Sequence, residues 1–140
     1  MKVQIEATFR PLLESLATDL GQRFPTVKFH VFSGPVGSLT TYQGWHLGIE
    51  ACFAGRRAHE ADCLALSIDL CHLDSTPRVM ADVAWGAPSG SCEELLCAWE
   101  GSQENWPQLD NMAFAELGRS FPRLAQAFEV AIARGHPLDG

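Results

Sequence analysis

The chain has 140 residues, a formal net charge of −7 at neutral pH, and only two lysines, Lys2 and Lys28. Nucleic-acid binding needs a basic face that replaces counterions on phosphates, and an anionic membrane repels an acidic chain. We therefore expect neither nucleic acid nor a membrane as a partner. The length is typical of one domain, which we place at residues 1–140.

Charged side chains interrupt the N-terminal region, where Glu6, Arg10, Glu14 and Asp19 separate the apolar residues. A signal peptide needs a continuous apolar segment there, and a membrane-spanning helix needs about 18 apolar residues or more. The sequence has neither pattern. We therefore expect a soluble, cytoplasmic protein in which the five cysteines are reduced.

A first helix is predicted at residues 8–22. Its apolar residues recur at helical spacing: Phe9, Leu12, Leu13, Leu16 and Leu20. Thr8 can cap this helix and Pro11 fits its first turn, whereas Gly21 and Pro25 are typical of its end.

Four strands are predicted after this helix. The first is the β-branched and aromatic run Val27–Phe32, which ends at a Gly- and Pro-containing loop over 33–38. Alternation of apolar and polar residues predicts the other three, at 39–53, 63–71 and 79–85. The turns between them, at 54–61 and 72–77, are too short for a crossover helix, so we expect an antiparallel meander.

The segment 93–100 has two interpretations. Ser91 and Glu94 have the spacing of a capping box, which favours a helix. The turn before the segment, at 86–91, suits a hairpin and favours a fifth strand, which is the interpretation we prefer. Residues 101–109 are expected to form a loop.

Two helices are predicted near the C-terminal end. Asp110 can cap a short helix that ends at Leu117. Ser120 can cap a last helix that has Pro122 in its first turn and Gly135 after its end. The predicted fold class is therefore α+β, with an antiparallel meander of four to five strands flanked on one face by an N-terminal and a C-terminal helix.

The alternation divides the sheet into two faces. The core face, which we expect the helices to cover, carries large apolar residues: Trp45, Leu47, Ile49, Phe53, Leu64, Leu66, Ile68, Leu70, Val79, Val83 and Trp85. The opposite face, here called the outer face, carries small or weakly polar residues and three carboxylates: His46, Gly48, Glu50, Cys52, Cys63, Ala65, Ser67, Asp69, Cys71, Met80, Asp82 and Ala84. A sheet face left in water usually carries Lys, Thr, Glu, Arg and Gln. We therefore expect that a chain segment, a second copy or a partner covers the outer face, or that this face lines a shallow cavity.

The turn positions also predict which residues lie side by side on neighbouring strands. The predicted pairs are His46 with Asp69, Cys52 with Cys63, Asp69 with Met80, and Ser67 with Asp82. A change of register by two residues would keep the faces and alter these pairs.

Outer-face residues are the candidates for catalysis. A hydrogen-bonded pair of His46 and Asp69 could orient a general base. Glu50, Asp69 and Asp82 could act as an acid pair or bind a hard cation. An ordinary cross-strand pair and solvated carboxylates explain the same residues, and we prefer these interpretations because no nucleophile motif completes a triad.

Cysteines and histidines supply the candidate metal ligands: Cys52, His59, Cys63, Cys71 and His72. Zinc sites usually contain two cysteines separated by two to four residues, and the chain lacks this spacing. We therefore predict no metal and no cofactor, and we expect the cysteines to pack as small apolar side chains. A disulfide between Cys52 and Cys63 is geometrically allowed in a non-reducing preparation.

Four residues outside the predicted strands are candidates for binding a partner. Trp99 and Trp106 follow the meander, and tryptophans are enriched at the energetic centres of interfaces. The alternative is that these tryptophans belong to a loop packed on the domain. Arg56 and Arg57 lie in a predicted turn.

Two classes of function remain open after these observations. The first is a non-enzymatic protein-binding module, either an inhibitor of the immunity type that holds a basic partner or a self-associating protein that forms a homodimer. The alternative is a small enzyme or metal-dependent binder that uses His46 and the outer-face carboxylates.

Overall fold

The computed structural model describes residues 2–39, 42–53, 63–73, 76–86, 92–97 and 111–135. These residues form seven elements: α1 (Lys2–Arg23), β1 (Val27–Leu39), β2 (Tyr42–Phe53), β3 (Cys63–Leu73), β4 (Thr76–Gly86), β5 (Cys92–Cys97) and α2 (Asn111–Arg134). The strands form one sheet in the order β1-β2-β3-β4-β5, and each strand is antiparallel to the next. The predicted α+β meander is confirmed, and the segment around 93–100 contributes the strand β5 rather than a helix.

Both helices pack on the predicted core face of the sheet. Helix α1 contacts β1 and β2, helix α2 contacts β3, β4 and β5, and the two helices touch each other. The core combines the apolar stripes of the helices with inward-facing strand residues: Ile5, Phe9, Leu13, Leu20, Leu47, Ile49, Ala51, Leu64, Leu66, Ile68, Ala81, Val83, Trp85, Leu117, Phe121, Leu124, Phe128, Ala131 and Ile132. Burial of each large side chain contributes roughly 1.5–3 kcal/mol, which makes this layer the main source of stability.

Two pairs of aromatic rings and one hydrogen bond between residues far apart in the sequence connect the helices with each other and with the sheet. The rings of Phe9 and Phe121 join α1 to α2, with centroids 5.6 Å apart. The rings of Phe29 and Phe128 join β1 to α2 at 6.3 Å in an edge-on arrangement. Arg10 donates a hydrogen bond of 2.6 Å to Ser33 Oγ and so connects α1 with β1.

Helix α1 is longer than predicted. It begins at Lys2 rather than at residue 8, so Thr8 is not its cap and Pro11 lies inside the helix rather than in its first turn. The apolar stripe explains the difference, because Ile5 and Phe9 are fully buried on the same face. The burial of these side chains outweighs the hydrogen bond that an internal proline removes, and the Pro11 ring is exposed.

Helix α2 is continuous where the sequence predicted two helices. It runs through Gly118, Ser120 and Pro122, so Ser120 is not a cap. Leu117 and Phe121 are both buried and follow one another at helical spacing across the predicted break. Packing of this stripe against the sheet therefore overrides the helix-breaking tendency of glycine and proline.

Strand β1 is also longer than predicted and contains the segment 33–38, which the sequence predicted as a loop. Gly34 has a φ of 147°, a backbone conformation that favours glycine. Pro35 pairs with Trp45. Strand β1 lies at the edge of the sheet, where the missing N–H of a proline costs few hydrogen bonds because only one side of the strand is paired. The turn predicted at 72–77 is shorter, since β3 extends to Leu73 and β4 begins at Thr76.

Several predictions concern residues outside the described part of the chain. These are the turn at 54–61, the loop at 101–109 and the cap at Asp110. Among the described residues, no helix combines the length and the apolar character that crossing a membrane requires.

Candidate functional site

The outer face is the surface on which the predicted site residues meet. The described side chains of this face from β2, β3 and β4 are buried or half-buried. Strand β1 adds Lys28, His30 and Phe32, which the sequence analysis left out because it did not place the first strand next to the second. The signal was present, since these three residues alternate with Val27, Phe29 and Val31.

Strand register confirms the predicted neighbours. His46 pairs with Asp69, Asp69 with Met80, and Ser67 with Asp82. Cys52 and Cys63 come directly after the pair of Ala51 with Leu64 in β2 and β3, and their Sγ atoms are 3.5 Å apart.

Asp69 is a half-buried carboxylate of the outer face whose pKa is shifted by its surroundings. Ser67 donates a hydrogen bond of 3.2 Å from Oγ to Asp69 Oδ1, and His46 faces Asp69 from β2. Burial raises the pKa of Asp69, while the hydrogen bond from Ser67 and the charge of His46 act in the opposite direction. Desolvation outweighs both favourable contacts, so the pKa of this carboxylate lies above its ordinary value.

The order of these groups differs from that of a nucleophilic triad. In a triad, a histidine lies between the nucleophile and the acid, so that it can take the proton of the hydroxyl group. Here the acid lies between Ser67 and His46, and the hydroxyl group donates to the acid. The arrangement orients Asp69 rather than activating Ser67.

Phe32 covers the centre of the outer face. Its ring lies 4.8 Å from the imidazole of His46 in an edge-on arrangement. Phe32 pairs with Gly48, where an added Cβ would lie 2.6 Å from Phe32 Cζ and 2.3 Å from the backbone oxygen of Leu66. Gly48 therefore provides the space that the end of the Phe32 ring occupies beside His46.

A second group of polar residues lies toward the other end of the outer face. One ligand atom each from Glu50, Cys52 and Cys63 lies within 4.8 Å of the other two, and all three residues are half-buried. His30 pairs with Glu50 across β1 and β2. We call Glu50, Cys52 and Cys63 the thiol–carboxylate cluster.

No two of the three predicted carboxylates lie directly opposite each other in the sheet. Glu50 lies opposite Ala65, and Asp82 lies opposite Ser67. Asp69 lies opposite His46 on β2 and opposite Met80 on β4. Asp69 and Asp82 are diagonal neighbours on β3 and β4, whereas Glu50 lies on β2 in a different row of the face.

The remaining candidates fall where side chains are not described. Cys71 and His72 lie on β3, at positions where the structure describes the backbone alone. Arg56, Arg57, His59, Trp99 and Trp106 lie outside the described residues.

The charge of the outer face is negative where its side chains are described. The described carboxylates of this face are Glu50, Asp69 and Asp82, and its described lysine is Lys28. Arg78 and Glu94 occupy further positions of the same face by their register with Cys71 and Ala84, and their charges offset each other. The sign of the face agrees with the net charge of −7 of the whole chain.

No family model matches the chain, and neither the curated proteins nor the solved structures include a significant match to it.

Proposed function

We propose that the chain is a non-enzymatic protein-binding module whose outer face binds a basic protein partner. The observation that carries this proposal is Asp69, a carboxylate held on the outer face with its pKa raised by burial. A cationic partner binds such a carboxylate with a more favourable free energy than it binds a fully solvated carboxylate. The reason is that the desolvation of the buried carboxylate has already taken place in the free protein.

The surroundings of Asp69 suit an arginine or a lysine side chain. Ser67 and His46 fix the position of the carboxylate, and the Phe32 ring adds an apolar surface beside His46. A guanidinium group combines a planar charge that can bind a carboxylate with two hydrogen bonds and a face that stacks on aromatic rings. An inhibitor of the immunity type that neutralises a basic toxin would use such a surface.

Charge favours a basic partner over a second copy of the chain. A two-fold symmetric dimer through this surface would bring the acidic outer face of one copy against the acidic outer face of the other. Like charges brought together in a desolvated interface are unfavourable. A basic partner meets the same face with opposite charge.

NMR titration of the isotope-labelled protein tests the proposal. The probes are an oligoarginine peptide and an oligoglutamate peptide of equal length. We expect oligoarginine to shift the amide signals of Gly48, Ser67 and Asp69, with weaker binding at higher salt. We expect oligoglutamate to leave these signals unchanged.

The substitution Asp69→Asn should weaken oligoarginine binding about 10-fold or more, since a hydrogen bond to a charged group contributes roughly 1.5–3 kcal/mol. Glu14→Gln is the matched control, because it removes one negative charge from the exposed surface of α1. Equal losses in both variants would show that binding follows net charge alone, and the proposal would be abandoned. Shifts confined to the helices would have the same consequence.

The second candidate function is a small enzyme that uses His46 and the outer-face carboxylates. The observation in its favour is the cross-strand pair of His46 and Asp69. Such an enzyme needs the imidazole to act on a substrate while Asp69 orients it. Substrate-derived mass that is retained by the purified protein and lost in His46→Gln would move this candidate ahead of the binding module.

A further inference from the structure

We propose that the thiol–carboxylate cluster is a binding site for a borderline-soft divalent cation such as Zn²⁺. Cys52 and Cys63 would supply two thiolates and Glu50 one carboxylate oxygen. The three ligand atoms already lie within 4.8 Å of one another. This proposal does not depend on the proposed protein-binding function.

The distance between the sulfur atoms fits a tetrahedral metal ion. Two thiolates that each lie about 2.3 Å from a tetrahedral zinc ion are about 3.8 Å apart. The Sγ atoms of Cys52 and Cys63 are 3.5 Å apart. The same spacing is that of a thiol–thiol hydrogen bond, which a metal ion would replace when both thiols bind it as thiolates.

The sheet itself holds the three ligands together. Glu50 and Cys52 are two residues apart on β2 and therefore point to the same face. Cys63 meets Cys52 from β3, as the register of the neighbouring pair Ala51 and Leu64 requires. A site assembled from two hydrogen-bonded strands needs little rearrangement when a metal ion enters, which is why a sequence without closely spaced cysteines can form it.

The ligand types select the cation. Thiolate sulfur favours zinc and other borderline-soft or soft ions, whereas Mg²⁺ and Ca²⁺ prefer oxygen ligands throughout. A cluster with two sulfur atoms and one carboxylate therefore points to the zinc class. Binding also releases protons, because thiols coordinate a metal as thiolates.

His30 is the residue to which we assign the fourth position. It pairs with Glu50 from β1, lies on the same face and has an exposed side chain. It does not belong to the group of ligand atoms within 4.8 Å of one another, so its exposed side chain would have to turn toward Cys52, its diagonal neighbour, to reach the metal ion. Imidazole is a common zinc ligand, and it would complete four-coordination with the three cluster residues.

Titration of the reduced protein with Co²⁺ tests the site, because thiolate ligands give cobalt a charge-transfer absorption in the near ultraviolet. We expect this absorption at one equivalent of Co²⁺ and its removal by Zn²⁺. Loss of an outer-shell partner typically weakens metal binding about 10–100-fold. We therefore expect Cys52→Ser and Cys63→Ser to weaken it more than about 100-fold, and Glu50→Gln and His30→Ala to weaken it less than the cysteine variants.

Cys71→Ser is the matched control. Cys71 lies on β3 like Cys63, eight residues further along the strand, which corresponds to about 27 Å. This variant should bind Co²⁺ as the unchanged protein does. Asp69→Asn should also leave metal binding unchanged, since Asp69 is six residues from Cys63, or about 20 Å along β3. The failure of this site and the failure of the proposed binding surface can therefore be told apart.

A second measurement requires no substitution. Zn²⁺ should protect Cys52 and Cys63 of the reduced protein from alkylation, as mass spectrometry of the digested protein would show, while the other cysteines react as before. The absence of both the cobalt absorption and the protection would overturn the proposal. So would metal binding that Cys71→Ser abolishes and Cys52→Ser leaves intact.

Discussion

Gly48 lies where the backbone of β3 and the Phe32 ring of the outer face both leave no room for a side chain. An added Cβ would lie 2.3 Å from the backbone oxygen of Leu66 and 2.6 Å from Phe32 Cζ. The Phe32 ring can turn away, but the Leu66 oxygen belongs to the hydrogen-bonded ladder of β3. Any larger residue at this position must therefore move the strand.

The substitution Gly48→Ala should lower the free energy of unfolding by about 1–3 kcal/mol, as overpacking typically does. Gly118→Ala is the matched control, because a Cβ there meets nothing within 4 Å and the residue lies inside α2. That control should raise the free energy of unfolding by roughly 0.5–1 kcal/mol. Urea unfolding measures both, and a neutral Gly48→Ala would show that β3 yields to the added methyl group.

Asp69 should make the stability of the protein depend on pH in a predictable direction. Burial raises the pKa of Asp69 in the folded state. The favourable contribution of Asp69 to the free energy of unfolding is therefore fully present below the unfolded pKa of about 3.9. This contribution is lost as the pH rises through the folded pKa. Asp69→Asn should gain stability relative to the unchanged protein as the pH rises from acid to neutral.

Urea unfolding over a pH series checks this expectation. Ser67→Ala provides the complementary variant, because it removes the hydrogen bond that lowers the pKa of Asp69. Without this bond the pKa of Asp69 rises further, so Ser67→Ala should lose more free energy of unfolding than the unchanged protein as the pH rises. Parallel pH profiles for the unchanged protein and Asp69→Asn would contradict the assignment of a raised pKa.

The strand pairs at the candidate site could be predicted from the sequence, and the thiol–carboxylate cluster could not. His46 with Asp69 and Ser67 with Asp82 follow from the alternation together with short turns, because the register of a hairpin is set by its turn. Glu50 joins Cys52 and Cys63 only when side-chain directions are added to the register. Phe32 was missed because the alternation within β1 assigns it to a face of the outer-face type only once β1 is placed next to β2, and that pairing was not predicted.

At the scale of elements, three predictions that depended on a glycine or a proline were wrong for the same reason. Pro11, Gly34 and Pro122 each lie inside a helix or strand at a position where the sequence predicted a boundary or a loop. Each of these residues lowers the local preference for regular structure. The packing of apolar residues on both sides of the position restores that structure, and local patterns do not report such packing.

The early start of α1 gives a direct test of this explanation. Ile5 is fully buried, whereas Val3, two residues earlier, is 79% exposed. Ile5→Ala should lower the free energy of unfolding by about 2–5 kcal/mol, as removal of a buried aliphatic side chain does. Val3→Ala should change it by no more than about 0.5 kcal/mol. Equal, small effects would mean that the helix begins near residue 8, as the sequence predicted.

At the scale of the whole molecule, helices on one side and small polar residues on the other give the sheet two unlike faces. The helices pack against the core face, where the central residues of β2, β3 and β4 are buried. An α+β sheet of this kind supports many functions, and the choice among them depends on the site rather than on the fold. The charged and thiol-bearing residues of the outer face are therefore the part of the molecule in which function is to be sought.

The charge of the molecule predicts its state of association. Each copy carries a net charge of −7, and a symmetric contact through the outer face would place Asp69 and its neighbours near their own copies. We therefore expect the reduced protein to be a monomer at micromolar concentration, both by native mass spectrometry and by sedimentation at low and high salt. High salt is the more demanding condition, because it screens the repulsion between copies. A dimer that persists at low salt would show that apolar and hydrogen-bonded contacts outweigh this repulsion. In that case the outer face would be covered by a second copy, and self-association would replace the basic partner as its function.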